Sequence, residues 1–249
     1  FRLHSPEALF MYASTNKVYG ALEDLPLEEE EKRFSVRNFS GIDEKRPLDF
    51  HSPYGCSKGA ADQYVVDFGR IYHLTTVSFR QSCIYGPQQF GVEDQGWVAW
   101  FTIAAHLGLP VTIYGNGKQV RDLLYIDDLV DLYDVAIRNR DKFFGGTFMN
   151  IGGGFHCSLS LLELIDVLKD MGYPLVPSFG AWRPGDQKIF ISSNTRAEEI
   201  LGWRPRVRPH EGVGRIVEWV RKKRDVLRQV FDRGMVGMGR ASKENGGGL

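Results

Sequence analysis

Tyr54 and Lys58 stand four residues apart at the head of an apolar-periodic stretch, in the segment Ser52-Pro53-Tyr54-Gly55-Cys56-Ser57-Lys58. At that spacing two helical side chains share a face, one turn apart. An ammonium beside a phenol favours the phenolate and draws its pKa toward neutrality, so Tyr54 could carry the proton of a substrate hydroxyl. The same spacing also arises by chance, as a solvated lysine beside a packed ring. Upstream, Leu9-Phe10-Met11-Tyr12-Ala13 is a continuous apolar run ending in Ser14-Thr15-Asn16. It reads as a buried parallel strand, and open parallel sheets bind ligands beyond the carboxyl ends of their strands. The hydroxyls and amide of Ser14, Thr15 and Asn16 are therefore placed to meet a ligand. Read alone, they also fit a cap on the next turn.

The elements that must position these groups follow from periodicity. Ala61, Tyr64, Val65, Phe68 and Tyr72 recur at helical spacing, with Ser52 as N-cap and Pro53 in the first turn. Thr75–Arg80 is β-rich, and strand, helix and strand make a βαβ unit. Residues 23–50, with the acidic run Glu28–Glu31, read as a solvated loop. Downstream, helices are expected over 97–107, from Asp127 to about Arg138, after Ser158/Ser160, over 195–201, and as one longer helix marked by Val213 to Leu227. Short strands are expected over 111–114, 147–151 and 189–191, and residues 232–249 as a disordered tail.

Composition narrows the classes of function. The chain has 249 residues, zero formal net charge and 25% charged residues, so no global field recruits nucleic acid or a membrane surface. No apolar run reaches membrane-spanning length. Cys56, Cys83 and Cys157 are widely spaced without a metal-ligand pattern, and no metal is expected. A reduced, cytoplasmic protein is the expectation. Neither glycine pair makes a dinucleotide fingerprint: Val120 replaces the third glycine after Gly115 and Gly117, and Cys157 after Gly152 and Gly154. Both read as turns.

Thr15 with Tyr54 and Lys58 resembles the Ser/Thr-Tyr-Lys triad of the extended short-chain dehydrogenase/reductase family. The resemblance runs to about Arg221 and includes Tyr19-Gly20, Phe79-Arg80 leading to Tyr85-Gly86-Pro87, and Val120-Arg121-Asp122 before Asp127-Asp128. It includes too Arg183-Pro184-Gly185-Asp186 and Leu201-Gly202-Trp203-Arg204-Pro205. Together these are specific for the nucleotide-sugar enzymes of that family. A narrower likeness, to its epimerases acting at carbon 2 of CDP-dideoxyhexoses, rests on Ser14–Gly20, Asp49–Tyr64, Asp94–Trp97 and Gly115–Asp122.

The resemblance implies an α/β fold: a Rossmann-like doubly wound parallel sheet lacking its first strands, with an interleaved smaller α/β substrate domain. Residues 1–85 and 119–150 would form the NAD-binding part, and 86–118 with 151–231 the nucleotide-sugar part. Relatives begin with a strand and a Gly-x-x-Gly-x-x-Gly loop, so the chain is expected to be a fragment lacking roughly the first 100 residues of such a protein, and inactive alone. The implied reaction is NAD-dependent epimerisation through a keto-sugar. Thr15, Tyr54 and Lys58 would be catalytic; Ser14, Tyr54, Lys58, Gln81 and Cys83 would bind the cofactor. Asn16, Gln95, Gln119, Arg121 and Arg183 would bind a CDP-sugar, with Trp97 lining its pocket or packing in the core. Sugar 4,6-dehydratases place an Asp-Glu pair after the threonine; Asn16-Lys17 lacks that acid and base, which disfavours dehydration. A UDP-hexose 4-epimerase and a non-catalytic nucleotide-sugar binder stand as alternatives, and a homo-oligomer is expected through the helix after Pro53.

Overall fold

A computed structural model describes residues 1–232. The expected tail lies outside them apart from Asp232, the last described residue of a helical stretch that begins at 224. In chain order the elements are β1 (Phe10–Thr15), β2 (Leu27–Glu29), β3 (Phe34–Val36), α1 (Ser52–Tyr72), β4 (Thr76–Gln81), β5 (Cys83–Tyr85) and α2 (Trp97–Leu107). There follow β6 (Thr112–Tyr114), β7 (Val120–Tyr125), α3 (Ile126–Arg138), β8 (Thr147–Ile151), β9 (Ser158–Ser160), α4 (Leu161–Asp170), β10 (Ser178–Gly180), β11 (Ile189–Phe190), α5 (Thr195–Leu201) and α6 (Pro209–Lys222).

β1, β4 and β8 form a parallel sheet in that order, the βαβ unit the sequence predicts. α1 packs on it through glycines. A Cβ on Gly59 would enter the Phe50 ring, and one on Gly69 would strike Gly146 and Thr76, so helix and sheet approach where side chains are missing. Ser52 does the capping work expected of it, its Oγ accepting from Gly55 N at 3.1 Å. Beneath the helix lies a buried ion pair: Arg80 Nη2 donates to Asp62 Oδ1 at 2.9 Å, with the two side chains 2% and 0% exposed. Burial works to raise the pKa of Asp62, and the bonds from Arg80 and Ser78 outweigh it and hold the carboxyl below its usual range.

A second sheet sets β5 and β11 parallel to β7, with β9 antiparallel on β7. β5 and β7, both assigned by sequence to the cofactor-side part, pair with each other here, while β8 completes the first sheet. At Ser82 the chain leaves β4 and enters β5 after one residue, too little for sequence patterning to mark. The segment 23–50 contains the β2–β3 hairpin, held at Lys118 by a bond from Phe34 N. The expected long C-terminal helix is two, broken at Lys223. One core gathers around α2, α4 and α6, another between β4, β8, α3 and α5.

Candidate active site

A cleft of about 540 Å³ opens where the carboxyl end of β1 meets the start of α1 and the end of β4. It is within the range of small-molecule sites. Thr15, Asn16, Tyr54, Cys83, Gln95, Gln119, Arg121 and Arg183 all line it, drawn from six separate stretches of chain. Trp97 lines it too, its indole N–H donating to Cys83 Sγ at 3.1 Å. That bond and burial leave Cys83 a packing group; burial pushes its thiol up to about 11.

Thr15 closes β1 and caps the turn 16–19, its Oγ1 accepting from Lys17 N at 3.3 Å and donating to Asn16 Oδ1 at 3.3 Å. Asn16 is held in turn by Gln187, which accepts from Asn16 Nδ2 at 3.4 Å and donates to the Gly20 carbonyl at 2.6 Å. Capping and a place in the cleft lining, alternatives in the sequence, thus belong to one residue. Tyr54, on the first turn of α1, is 54% exposed, so its phenol is open to a ligand.

Three expected residues sit elsewhere. Lys58 lies outside the cleft lining, its ammonium donating to the Ala13 carbonyl and resting 4.7 Å from the Tyr12 ring centroid. Ser14 and Gln81 are turned away. Strand alternation sends Ser14 to the α1 side, against Asp62, and Gln81 Nε2 donates to the Tyr133 hydroxyl at 2.6 Å. Neither residue is among those that line the cleft.

The cleft is lined by three cations, Lys17, Arg121 and Arg183, and three carboxylates, Glu93, Asp94 and Asp186, and the cations lean on the carboxylates. Arg121 is 9% exposed, anchored by the Val120 carbonyl and donating to Asp186 Oδ1 at 2.7 Å. Arg183 pairs with Asp94 at 2.8 Å and lies 4.0 Å from the Tyr114 ring centroid. Lys17, which sequence reasoning used only to exclude an acid, enters the cleft 3.8 Å from Asp186. Burial, then the Arg121 charge, lowers its pKa to about 8 against the pull of Asp186. Ser82 and Tyr114 also line the cleft; their signal was position, between Gln81 and Cys83 and before the Gly115 turn. Among the described residues no group of acids, histidines and cysteines could hold a metal.

The glycines after β8 hold an anion of the chain's own. Asp122 is buried, and its carboxylate accepts from Gly154 N at 3.0 Å, Ser192 N at 3.1 Å, and the hydroxyls of Ser82 and Ser192. A Cβ on Gly152 would overlap Asp122 and Ser192. The stretch therefore works as an internal anion cradle, joining the ends of both sheets.

This fold and this site define a class. Residues 2–152 match the model of the NAD dependent epimerase/dehydratase family, and the chain belongs to that family. It is 44% identical over 229 residues to CDP-paratose 2-epimerase of Salmonella typhi, spanning 88% of this chain and 66% of that protein. Among solved structures, UDP-glucose 4-epimerase of Thermotoga maritima with UDP-glucose is 32% identical, with a TM-score of 0.71 over 86% of this chain and 64% of that one. MoeE5 in complex with UDP-glucose and NAD is 27% identical, with a TM-score of 0.73 over 86% and 65%. The chain thus spans about two thirds of the length of these relatives.

The residues present fit the nicotinamide-ribose end of NAD. Lys58 uses one of three donors on Ala13 and keeps the others free for ribose hydroxyls, beside the exposed phenol of Tyr54.

Proposed function

We propose that the chain serves the NAD-dependent 2-epimerisation of CDP-paratose to CDP-tyvelose. The observation that carries this reading is the convergence of Thr15 and Tyr54 with Arg121 and Arg183 in one cleft, in a chain 44% identical to a CDP-paratose 2-epimerase. Tyr54 takes the proton of the sugar hydroxyl as carbon 2 is oxidised, and gives it back after the keto-sugar has turned its other face. Thr15 donates to the same oxygen by turning its one hydroxyl proton away from Asn16 Oδ1, while Lys17 N continues to donate to its Oγ1. Lys58 steadies the phenolate side and the ribose. Bound NAD supplies hydride acceptance and return. Arg121 and Arg183 grip the diphosphate, exchanging Asp186 and Asp94 for phosphate oxygens. Asn16 presents an amide where a dehydratase needs an acid, so water is not eliminated.

The test is turnover of CDP-paratose and of UDP-glucose with NAD present, in deuterated water. Conversion of CDP-paratose without deuterium entering carbon 2 supports the reading. Turnover of UDP-glucose alone would replace it with 4-epimerisation, the activity named for the Thermotoga maritima neighbour.

A further inference from the structure

Tyr19 lies outside the cleft lining, buried at the end of the turn 16–19 that Thr15 caps. Burial raises the pKa of its phenol, so the hydroxyl keeps its proton and donates to Asn150 Oδ1 at 2.7 Å. The same oxygen accepts from Arg80 Nη1 at 3.0 Å. Arg80 turns the rest of its fork on α1: Nη2 donates to Asp62 Oδ1 at 2.9 Å, and Nε to Asp62 Oδ2 at 3.2 Å. The Phe148 ring, its centroid 4.2 Å from the guanidinium carbon, backs the fork. A guanidinium is planar and its donors point in fixed directions, so the place of Tyr19 decides the place of Asp62.

A second contact joins the same two elements. Gly55, the residue after Tyr54, packs on the turn: a Cβ there would stand 3.2 Å from the Lys17 carbonyl oxygen. α1 is thus fixed to the turn at its head, and again at Asp62, about 10 Å further along the helix. One contact would leave the helix free to pivot, and two fix its tilt. Thr15 opens the turn and Tyr54 stands beside Gly55, so this mount sets the separation of their side chains. Arg121 and Arg183 are held elsewhere, by Asp186 and Asp94.

We infer that Tyr19 is a positioning residue: through Arg80 and Asp62, its hydroxyl sets the tilt of α1 and with it the placement of Tyr54 against Thr15. The roles of Thr15 and Tyr54 rest on the functional reading above, whereas the mount stands on its own bonds. A misplacement of roughly 1 Å is enough to slow a reaction by two orders of magnitude.

Tyr19→Phe keeps the ring stacked on Phe190 and removes only the hydroxyl. Two measurements on the full chain test the inference: CDP-paratose turnover alongside CDP binding, and hydrogen exchange of residues 16–20, 52–58 and 120–125. In Tyr19→Phe kcat should fall about 10–10²-fold, with the CDP dissociation constant within about twofold of wild type. Exchange should quicken in 16–20 and 52–58 together and stay unchanged in 120–125, on β7, which reports an intact fold. Arg80→Lys keeps a cation for Asp62 but loses the fork, and should show the same split. Phe190→Leu loosens the bed of the Tyr19 ring and spares its hydroxyl; it should lower the thermal midpoint and leave kcat within about twofold. Unchanged kcat in Tyr19→Phe, or quicker exchange in 16–20 alone or in all three segments, overturns the inference and leaves the functional reading standing. So does an equal fall of kcat in Phe190→Leu, which would make the effect a general loosening. If wild type turns over no CDP-paratose, the functional reading falls and exchange decides the mount: joint quickening of the two segments supports it, and independent behaviour overturns it.

Discussion

Lys17 sits between a cation and a shared carboxylate, and its lowered pKa has two measurable consequences. Free lysine holds its proton to about 10.5, whereas Lys17 in the folded chain releases it near 8. Between those values the unfolded chain binds more protons, so this residue makes stability rise with pH across that window. Lys17→Met should flatten the slope, as read by urea midpoints across the window from about pH 8 to 10.5. A diphosphate bound beside Arg121 favours the charged ammonium and raises its pKa. Binding of CDP near pH 8 should therefore take up a fraction of a proton, seen as a buffer-dependent calorimetric heat and absent in Lys17→Met. Tyr54 is separable from such binding effects. Tyr54→Phe should lower turnover about 10²–10⁴-fold, the usual weight of general acid–base catalysis, and leave the CDP dissociation constant within about twofold. A matching loss of CDP affinity would make Tyr54 a binding group.

At the scale of elements, the turn after β8 holds the ends of both sheets together through one carboxylate. Gly152 leaves no room for a methyl group, because Asp122 and Ser192 fill the place of its Cβ. Gly152→Ala should cost about 2–3 kcal/mol in denaturant unfolding, since it both overpacks the site and breaks bonds to a buried charge. Gly172 has open space around it and a φ of +88°, so Gly172→Ala should cost about 1 kcal/mol, backbone strain alone. Equal losses at the two positions would remove the carboxylate's special part. Periodicity made α1, α2, α3 and α4 legible because their apolar faces are long. It passed over β2, β3 and β9, three residues each and too short to show an alternation; β2 and β3 pair with each other, and β9 with the distant β7.

For the whole molecule, the buried Arg80–Asp62 pair ties α1, with its tyrosine, to the central strand of the first sheet. Asp62→Asn should destabilise by about 3–5 kcal/mol by leaving the guanidinium uncompensated. Because the Asp62 pKa is lowered on folding, its contribution is present above the usual carboxylate range and lost as pH falls through the folded value. Acid unfolding of wild type, followed by circular dichroism, should carry this component, and Asp62→Asn should lack it. The outer face of α1 exposes Tyr64, Phe68, Ile71 and Tyr72, where a second copy is expected to dock. Sedimentation should show a dimer that Phe68→Glu dissociates.

The sequence by itself determined the βαβ unit, the hydroxyl at the end of its first strand, the tyrosine one helix later and the two arginines inside their motifs. Each is written in residue type and local spacing, which act over a few residues. Only the tertiary structure decided that Ser14 faces away while Thr15 faces in, that Gln81 belongs to Tyr133, and that Lys17 is a cleft cation. It alone showed that the glycines after β8 cradle Asp122. Those outcomes depend on which strands pair and which side chains burial brings together, over separations such as the 70 residues between Asp122 and Ser192. Spacing along the chain carries no record of them.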